Sequence, residues 1–413
     1  MKVRTDLVLK DIGELLTMGG SGAAGIGLVK DAALAVSEGR VVWVGSSSAV
    51  EDHCEVLSDT EVISAGGKVV TPGFVDSHTH PLFGATRQEE FAMRAAGADY
   101  EEIAAAGGGI LNSVKKTRAA SSAALEENMR HHLSIMLSNG TTTVEAKSGY
   151  GLDLTTELRC LEIAGKVGEE VPQTIVPTFM GAHEVPEEFK GRHDEYIDYL
   201  IHHVNPRVKE QGIAEFVDIF CEKGVFTADQ ATRYLDASSR LGFLLKIHAD
   251  EFYDTGGAAV AVKTGAVSAD HLLSISDENI ELIAESNTVA TLLPGTALFL
   301  RKPFPPGRKL LDAGASVALA TDFNPGSCFC DSMPLIVSLA VCQCGFTVEE
   351  ALVSATAKGA AALRLEKQKG SLTTGFDADF VIWNCSDFRT IPYHLGNPDV
   401  DAVYCAGLKV YST

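Results

Sequence analysis

Eight short apolar runs, separated by helix-like segments, constrain the fold of this 413-residue chain more than any other feature. Each run has about four to eight residues, which is typical of parallel strands covered by helices on the outside. The runs begin at Gly73, Thr141, Thr174, Phe216, Phe243, Ala266, Val289 and Ser316. Eight strands alternating with helices predict an α/β fold, a closed (β/α)8 barrel of the TIM type.

The segments between the apolar runs have recognisable helix ends. Thr227 with Gln230 and Thr347 with Glu350 have the spacing of a capping box, in which two side chains bond the free backbone N–H groups of a first helical turn. Gly242 is typical of a helix stop. These signals predict that helices fill the gaps between the strands.

Both ends of the chain show a different pattern of short strands and glycine turns. The segment ALAVSEGRVVWVG is two apolar runs around a turn at Gly39, which predicts a hairpin. DFVIW and the segment around Gly407 repeat this pattern. Because isolated hairpins are marginally stable, we expect the two ends to pair into one small β-sandwich-like domain. The predicted division is 1–66 and 366–413 for this domain and 67–365 for the barrel.

Charge and cysteine content restrict partners and compartment. The 34 Lys and Arg residues and 55 Asp and Glu residues give a net charge of −21, which repels nucleic acid and anionic membranes. We therefore expect neither as a partner. Charged residues interrupt the opening MKVRTDLVLKDIGELLTM, which lacks the apolar core of a signal peptide. Nine cysteines, an odd number, predict reduced thiols and a cytoplasmic protein.

Polar residues interrupt the apolar runs at their C-terminal ends, the face where barrels of this type carry active sites. His78 and His80 end the first run, and their spacing on a strand points both imidazoles to one face. Further residues at or just after strand ends are His183, His248, His271 and Asp322. One such histidine is usually a polar residue whose ring nitrogens find hydrogen-bond partners within the protein. Packing of this kind does not explain the whole set. The set predicts a metal site in the barrel mouth.

The strings VDSHTH, HADE, ADH and ATDFNPG, in this order, resemble the amidohydrolase superfamily of metal-dependent hydrolases. The resemblance covers nearly the whole chain and includes GSLTTGFDADFVIW, where the chain returns to the small domain. Within the superfamily, HPLFGATRQEEF, EAKSGYGL, FMGAHEVP and TDFNPGS are similar to the imidazolonepropionase family. That resemblance implies hydrolysis of the ring amide C–N bond of 4-imidazolone-5-propanoate to N-formimidoyl-L-glutamate in histidine degradation.

The resemblance implies one catalytic divalent metal ion, zinc or iron, and these ligands: His78, His80, His248 and Asp322. Three imidazoles and one carboxylate suit either ion. Lys147 lies on the second run, whereas the carboxylated lysine of two-metal relatives belongs on the fourth strand. The fourth run instead contains Asp218 and Glu222, so we expect a single-metal site.

Hydrolysis requires an activated water, a stabilised ring oxygen and protons for the departing nitrogen. His271 is a candidate donor to the oxygen. Glu251, three residues after His248, is the preferred proton shuttle, although a surface carboxylate is the alternative. Asp322 is the other candidate carboxylate. The pattern leaves open which of the three residues is the base and which is the acid.

The propionate tail of the substrate is an anion that an acidic protein must attract locally. Arg87 follows the ligand histidines on the first barrel loop, and its guanidinium can bind a carboxylate bidentately. By resemblance, the substrate-binding residues are Arg87, Tyr100, Tyr150 and His183. Asn324 and Gly326 follow Asp322 and are candidates for contacts to the ring or product. A surface role for Arg87 and a packing role for either tyrosine are the alternatives.

Two other functions remain open at this point. The first is another one-metal amidohydrolase, such as an aminohydrolase that releases ammonia from a nucleobase-like ring, and its product would distinguish it. The second is a catalytically inactive metal-binding scaffold, whose function would survive the change His78→Ala. The resemblance also implies a homodimer.

Overall fold

The computed structural model describes residues 2–20, 25–97, 108–397 and 399–413. Its largest part is a set of eight parallel strands that neighbour one another in chain order. These barrel strands are Phe74–Asp76, Thr141–Lys147, Thr174–Ala182, Phe216–Cys221, Leu244–Ala249, Ser268–His271, Val289–Leu292 and Val317–Leu319. Each predicted apolar run contains one of them, which confirms the predicted (β/α)8 barrel.

The first and eighth strands close the barrel through short contacts. Thr79 forms an isolated parallel bridge with Phe323. Asp76 accepts hydrogen bonds from the backbone N–H and the hydroxyl of Thr321 at 2.9 and 2.6 Å. Burial raises the pKa of Asp76 to about 7, although these hydrogen bonds oppose the rise. The closure therefore lies within two residues of His78, one of the predicted ligands.

Helices separate the barrel strands. The α-helices are Val50–His53, Gln88–Ala95, Ile110–Ala119, Ser122–Ser138, Leu154–Glu170, His193–Tyr199, Asn205–Gln211, Ala228–Arg240, Gly257–Thr264, Asp277–Ala284, Pro294–Leu300, Gly307–Asp312, Met333–Gln343, Val348–Ser354, Ala357–Ala362 and Thr390–Tyr393. A π-helical turn spans Leu200–Val204, and 3-10 turns span Ser47–Ala49 and Glu187–Phe189. Within the parts of the chain that the structure describes, no helix combines the length and apolar character needed to cross a membrane.

Both predicted capping boxes are present. The hydroxyls of Thr227 and Thr347 accept from the N–H groups of Gln230 and Glu350, whose side chains bond back to the threonine N–H groups. Gly242 follows the helix that Thr227 begins and has a φ of +81°, a left-handed conformation that glycine adopts without steric cost. The predicted helix stop is thus confirmed.

Both chain ends build a second sheet of eight strands. Seven of them have the spatial order Leu408–Ser412, Val400–Cys405, Phe380–Trp383, Val69–Pro72, Leu7–Leu16, Leu28–Ser37 and Arg40–Ser46, and Glu61–Ser64 pairs with Leu7–Leu16. Val3–Arg4 pairs separately with Cys54–Glu55. The predicted hairpin at Gly39 is confirmed, and the predicted boundary after residue 66 falls just before Val69–Pro72, which pairs in this sheet.

Trp383 links the second sheet to the barrel. Its ring is fully buried, with its centroid 5.8 Å from that of Phe74 on the first barrel strand. Its indole N–H donates to the hydroxyl of Thr71 at 2.9 Å. Burial of a large aromatic ring stabilises a fold by about 2–3 kcal/mol. This contact therefore helps to hold the start of the strand that leads to His78.

Candidate metal centre

The four predicted ligands converge at the C-terminal end of the barrel. The Nε2 atom of His80 lies 3.4 Å from that of His78 and 3.3 Å from that of His248. The Oδ1 atom of Asp322 lies 3.5 Å from His78 Nε2 and 3.7 Å from His80 Nε2. All four side chains are buried. The barrel thus brings together donors that lie at or just after the ends of its first, fifth and eighth strands.

This donor set fits a divalent metal ion. Burial lowers the pKa of His78 and His80 well below the ordinary value, and nearby positive charges lower it further. The imidazoles are therefore neutral at neutral pH and retain the lone pair that a metal ligand needs. His78 Nδ1 lies 2.7 Å from Asp270 Oδ2, an arrangement that holds the proton on Nδ1 and directs Nε2 toward the other donors.

His271 lies beside the predicted ligands. Its ring centroid is 5.4 Å from that of His78 and 5.1 Å from that of His248. Consecutive residues of a strand normally face opposite sides, but a φ of +82° at His271 lets both Asp270 and His271 face the interior. Neither ring nitrogen of His271 has a hydrogen-bond partner among the described residues. A buried imidazole of this kind is available to a bound molecule.

Glu251 and Asp322 differ in their tendency to hold a proton. Burial raises the pKa of Glu251 well above its ordinary value, and the charges of Asp322 and Glu222 add to this. Burial raises the pKa of Asp322 only to about 6, because the hydroxyl of Thr296 opposes the rise. Burial therefore favours the protonated form of Glu251 more strongly than that of Asp322. Glu251 Oε2 lies 3.7 Å from His271 Nε2.

Thr296 orients the Asp322 carboxylate. Its hydroxyl donates to Oδ2 at 2.5 Å, so that Oδ1 is the oxygen that faces the histidines. Thr296 lies in the first turn of the helix Pro294–Leu300, after the seventh strand. No local sequence pattern marks this residue, because its role depends on the neighbouring eighth strand.

Arg87 lies near the barrel mouth, and its side chain is only 14% exposed. Its Nε and Nη2 atoms both donate to Glu90 Oε2, at 2.9 and 2.5 Å. A β-carbon at position 326 would overlap the guanidinium, so Gly326 lies directly against Arg87. This environment differs from that of a surface cation and leaves the Nη1 donors near Gly326. The buried Glu90, which the sequence did not single out, lies one helical turn after Arg87.

Tyr150 and His183 are buried beside His80. The His183 ring stacks on that of His80 with the centroids 5.1 Å apart, and the Tyr150 ring centroid lies 5.3 Å from that of His183. His183 Nδ1 lies 3.0 Å from the carbonyl oxygen of Gly149, a distance that requires Nδ1 to donate. Burial lowers the pKa of His183 to about 3, so the ring is neutral. Tyr100 lies outside the described residues.

Glu157 holds the loop that carries Tyr150. Its carboxylate accepts from the backbone N–H groups of Gly149, Gly151 and Leu152 at 3.1, 2.8 and 2.8 Å. Three hydrogen bonds to one buried carboxylate restrain the backbone on both sides of the tyrosine. The SGYGL string indicates the loop, but nothing local to Glu157 reveals that this helix residue reaches back to it.

Asn324 shapes the loop after the eighth strand. Its Nδ2 donates to the carbonyl of Asp322 and the hydroxyl of Ser327 at 2.7 and 2.8 Å. Its Oδ1 accepts from the N–H groups of Gly326 and Ser327 at 2.8 and 2.7 Å. These bonds place Gly326 beside Arg87.

Comparison with known proteins defines the class. The model of the amidohydrolase family matches residues 69–410. A zinc-bound adenosine deaminase from Xanthomonas campestris has the same fold, with a TM-score of 0.72, 18% identity and coverage of 99% of this chain and 93% of that one. Atrazine chlorohydrolase from Arthrobacter aurescens TC1, complexed with zinc, has a TM-score of 0.74 and 16% identity to this chain. The match covers 98% of this chain and 95% of that one. The chain belongs to the amidohydrolase family.

Curated relatives narrow this assignment. The chain is 43% identical over 415 residues to the imidazolonepropionase of Bacillus cereus (strain B4264). This match covers 98% of this chain and 97% of that protein. It is 47% identical over 398 residues to the imidazolonepropionase of Symbiobacterium thermophilum, and this match covers 95% of this chain and 94% of that protein. Within the amidohydrolases, it is a member of the imidazolonepropionase family.

Proposed function

We propose that this protein hydrolyses 4-imidazolone-5-propanoate to N-formimidoyl-L-glutamate, a step of histidine degradation. In this reaction the ring amide C–N bond breaks, the water oxygen joins the carbonyl carbon and the departing nitrogen gains a proton. The observation that carries the proposal is a pair of buried donor groups that share His78, one with His80 and Asp322 and one with His248 and His271. They occur in a chain that resembles imidazolonepropionases over nearly its full length. Its anchored arginine at the barrel mouth suits an anionic substrate tail.

The proposed cofactor is one zinc or iron ion, held by His78, His80, His248 and Asp322. Such an ion lowers the pKa of a water molecule toward about 7 and polarises a carbonyl group. The chain's own contribution is to hold the imidazoles and an oriented carboxylate in a buried site, with the pKa of His78 and His80 lowered by burial. Fixed donors of this kind need little rearrangement during the reaction.

The proposed proton path uses the difference between the two carboxyl groups. Asp322, unprotonated above about pH 6, accepts a proton from the attacking water. Glu251, whose pKa burial raises well above the ordinary value, delivers a proton to the departing ring nitrogen. His271, neutral and without a partner among the described residues, donates to the ring oxygen. Glu251, His271 and Asp322 are therefore the proposed catalytic residues.

The proposed substrate contacts surround this centre. Arg87 binds the propionate with the guanidinium donors that Glu90 leaves free. Tyr150 and His183 contact the ring from the side of His80, and Tyr100 joins them by family resemblance. Asn324 and Gly326 form the loop that borders the carboxylate end.

We propose a cytoplasmic location and a homodimer. The location is supported by the cysteines: all nine lie within the described residues, and none of them forms a disulfide. The homodimer rests on the family resemblance alone. Sedimentation velocity at micromolar concentration tests it, and a single monomer-sized species would contradict it.

The function is tested with freshly generated 4-imidazolone-5-propanoate and protein of measured metal content. We expect the ring chromophore to disappear and mass spectrometry to identify N-formimidoyl-L-glutamate. Chelation should abolish turnover, and added zinc or ferrous iron should restore it. His78→Ala should remain inactive after metal addition. Ammonia release would indicate an aminohydrolase instead, and the absence of turnover by fully metal-loaded protein would indicate a scaffold.

A further inference from the structure

Five charged side chains lie fully buried in the barrel interior, next to the predicted metal ligands. This buried charge cluster consists of Glu145, Lys147, Asp218, Lys246 and Asp270. They come from the second, fourth, fifth and sixth barrel strands. Because an unpaired charge in such an environment costs several kcal/mol, these groups persist only as partners of one another and of their neighbours. The function proposed above leaves the cluster unexplained.

Two lysines connect the three carboxylates. Lys147 Nζ lies 2.6 Å from Asp218 Oδ2 and 2.9 Å from Glu145 Oε2. Lys246 Nζ lies 3.0 Å from the same Glu145 oxygen. The lysine nitrogens lie 3.9 and 3.7 Å from Asp270 Oδ2, respectively. The two lysines therefore lie among three carboxyl groups, and both contact Glu145.

Lys147 remains charged in this environment. Burial alone would lower its pKa, but the neighbouring carboxylates Asp218, Glu145 and Asp270 outweigh burial and raise the pKa above the ordinary lysine value. A neutral amine would leave the carboxylates without a counter-charge. The ammonium group is thus an integral part of the cluster.

Two cluster carboxylates contact the histidines on the side away from the metal-facing nitrogens. Asp270 Oδ2 lies 2.7 Å from His78 Nδ1, and Asp218 Oδ2 lies 3.1 Å from His248 Nδ1. His78 Nδ1 donates a hydrogen bond to Asp270, which keeps the proton on Nδ1, orients the ring and makes Nε2 a better ligand. Asp218 acts on His248 by charge attraction, because the two side chains are not aligned as a hydrogen bond. Lys147 lies close to both carboxylates, so one ammonium group connects two histidines on different strands.

We propose that Lys147 is a positioning residue of the metal centre, which fixes Asp218 and Asp270 and through them orients His248 and His78. This inference rests on the proposed ligand set. The competing explanation is an ion network that stabilises only the barrel. The two explanations differ in whether loss of Lys147 weakens metal binding by a protein that still folds.

Lys369 offers a matched control. It is also a buried lysine with two carboxylate partners, Asp377 and Asp379, at 2.9 and 2.7 Å. Its partners lie at the entry to the second sheet, and none of the three residues contacts the predicted ligands. Lys369→Met therefore reproduces the loss of a buried ammonium group away from the metal centre.

The experiment measures Zn²⁺ affinity by competition with a chromophoric chelator, together with far-UV circular dichroism and thermal unfolding. We expect Lys147→Met to retain the helical signal and to bind Zn²⁺ about 10–100-fold more weakly, the range typical of lost second-sphere partners. Lys369→Met should unfold at a lower temperature but keep wild-type Zn²⁺ affinity. Wild-type affinity in folded Lys147→Met, or an equal loss in Lys369→Met, would overturn the proposal.

Two further variants complete the test. His78→Ala should lose tight Zn²⁺ binding, and unchanged binding would instead refute the ligand set and the proposed function with it. If Lys147→Met does not fold, Lys147→Gln replaces it, because glutamine can still donate a hydrogen bond to one carboxylate but removes the charge. Weakened Zn²⁺ binding by this variant supports the proposal, and unchanged binding overturns it.

Discussion

The guanidinium of Arg87 lies against the backbone of Gly326, in the space that a β-carbon at position 326 would occupy. Glu90 holds the guanidinium by its Nε and Nη2 atoms. Arg87 follows the first barrel strand and Gly326 follows the eighth, so closure of the barrel brings these two residues together. The arginine is thereby confined between a carboxylate and a glycine.

Gly326→Ala should displace the Arg87 side chain and weaken binding of the substrate carboxylate. We expect KM for 4-imidazolone-5-propanoate to rise at least about tenfold, equivalent to about 1.4 kcal/mol. The effect on kcat should be smaller, because the proposed metal ligands are unchanged. Steady-state kinetics with the substrate and with an analogue that has an uncharged tail provide the measurement. An equal rise in KM for both compounds would contradict this role.

Glu251→Gln should remove the proposed proton donor. In the wild-type protein, kcat should fall as the pH rises through the raised pKa of Glu251, because the carboxyl group then loses its proton. Glutamine has no such proton, so we expect kcat to be about 10²–10⁴-fold lower and the alkaline limb to disappear. The pH dependence of kcat tests this, and an alkaline limb that persists unchanged in the variant would exclude Glu251 as the donor.

Thr296→Val should disturb Asp322 without a change in side-chain volume. The hydroxyl of Thr296 lowers the pKa of Asp322, which burial raises to about 6. The proposed proton path uses unprotonated Asp322, so the acid limb of kcat/KM should move to higher pH in the variant. Thr288→Val is the control, because the buried Thr288 hydroxyl donates to the carbonyl of Ala266 away from the site. An unshifted acid limb in Thr296→Val would argue against this role of Asp322.

His183 should make the stability of the metal-free protein depend on pH. Its pKa is lowered from 6.5 to about 3 by burial, so between these values the unfolded chain binds the proton and the folded protein does not. Unfolding free energy should therefore fall as the pH decreases through this range. The decrease should be steeper in the wild type than in His183→Gln, by up to about 1.4 kcal/mol per pH unit. Urea titrations from pH 4 to pH 7 measure both slopes, and parallel slopes would disagree with a buried neutral His183.

The order of strands and helices could be predicted from the sequence because it depends on patterns among residues close together in the chain. Unbroken apolar runs indicate strands buried on both faces, and the capping boxes at Thr227 and Thr347 need only residues three positions apart. The spacing of His78 and His80 was also a local signal, although the prediction placed both on the first strand, which ends at Asp76. They lie just beyond it, on either side of Thr79, which bridges to Phe323. Strand ends that meet on one face of a barrel then brought the more distant His248 and Asp322 into the prediction.

The partners of these residues depend on contacts between elements far apart in the chain. Lys147 meets Asp218 across 71 positions, and Asp270 meets His78 across 192. Thr296 reaches Asp322 only because the seventh and eighth strands are neighbours. The amino-acid pattern specified the barrel and the places of the proposed site residues near its strand ends, because secondary structure and strand direction follow from local periodicity. Barrel closure decided their proton positions, orientations and counter-charges, because those depend on burial and on distances of a few ångströms between different strands.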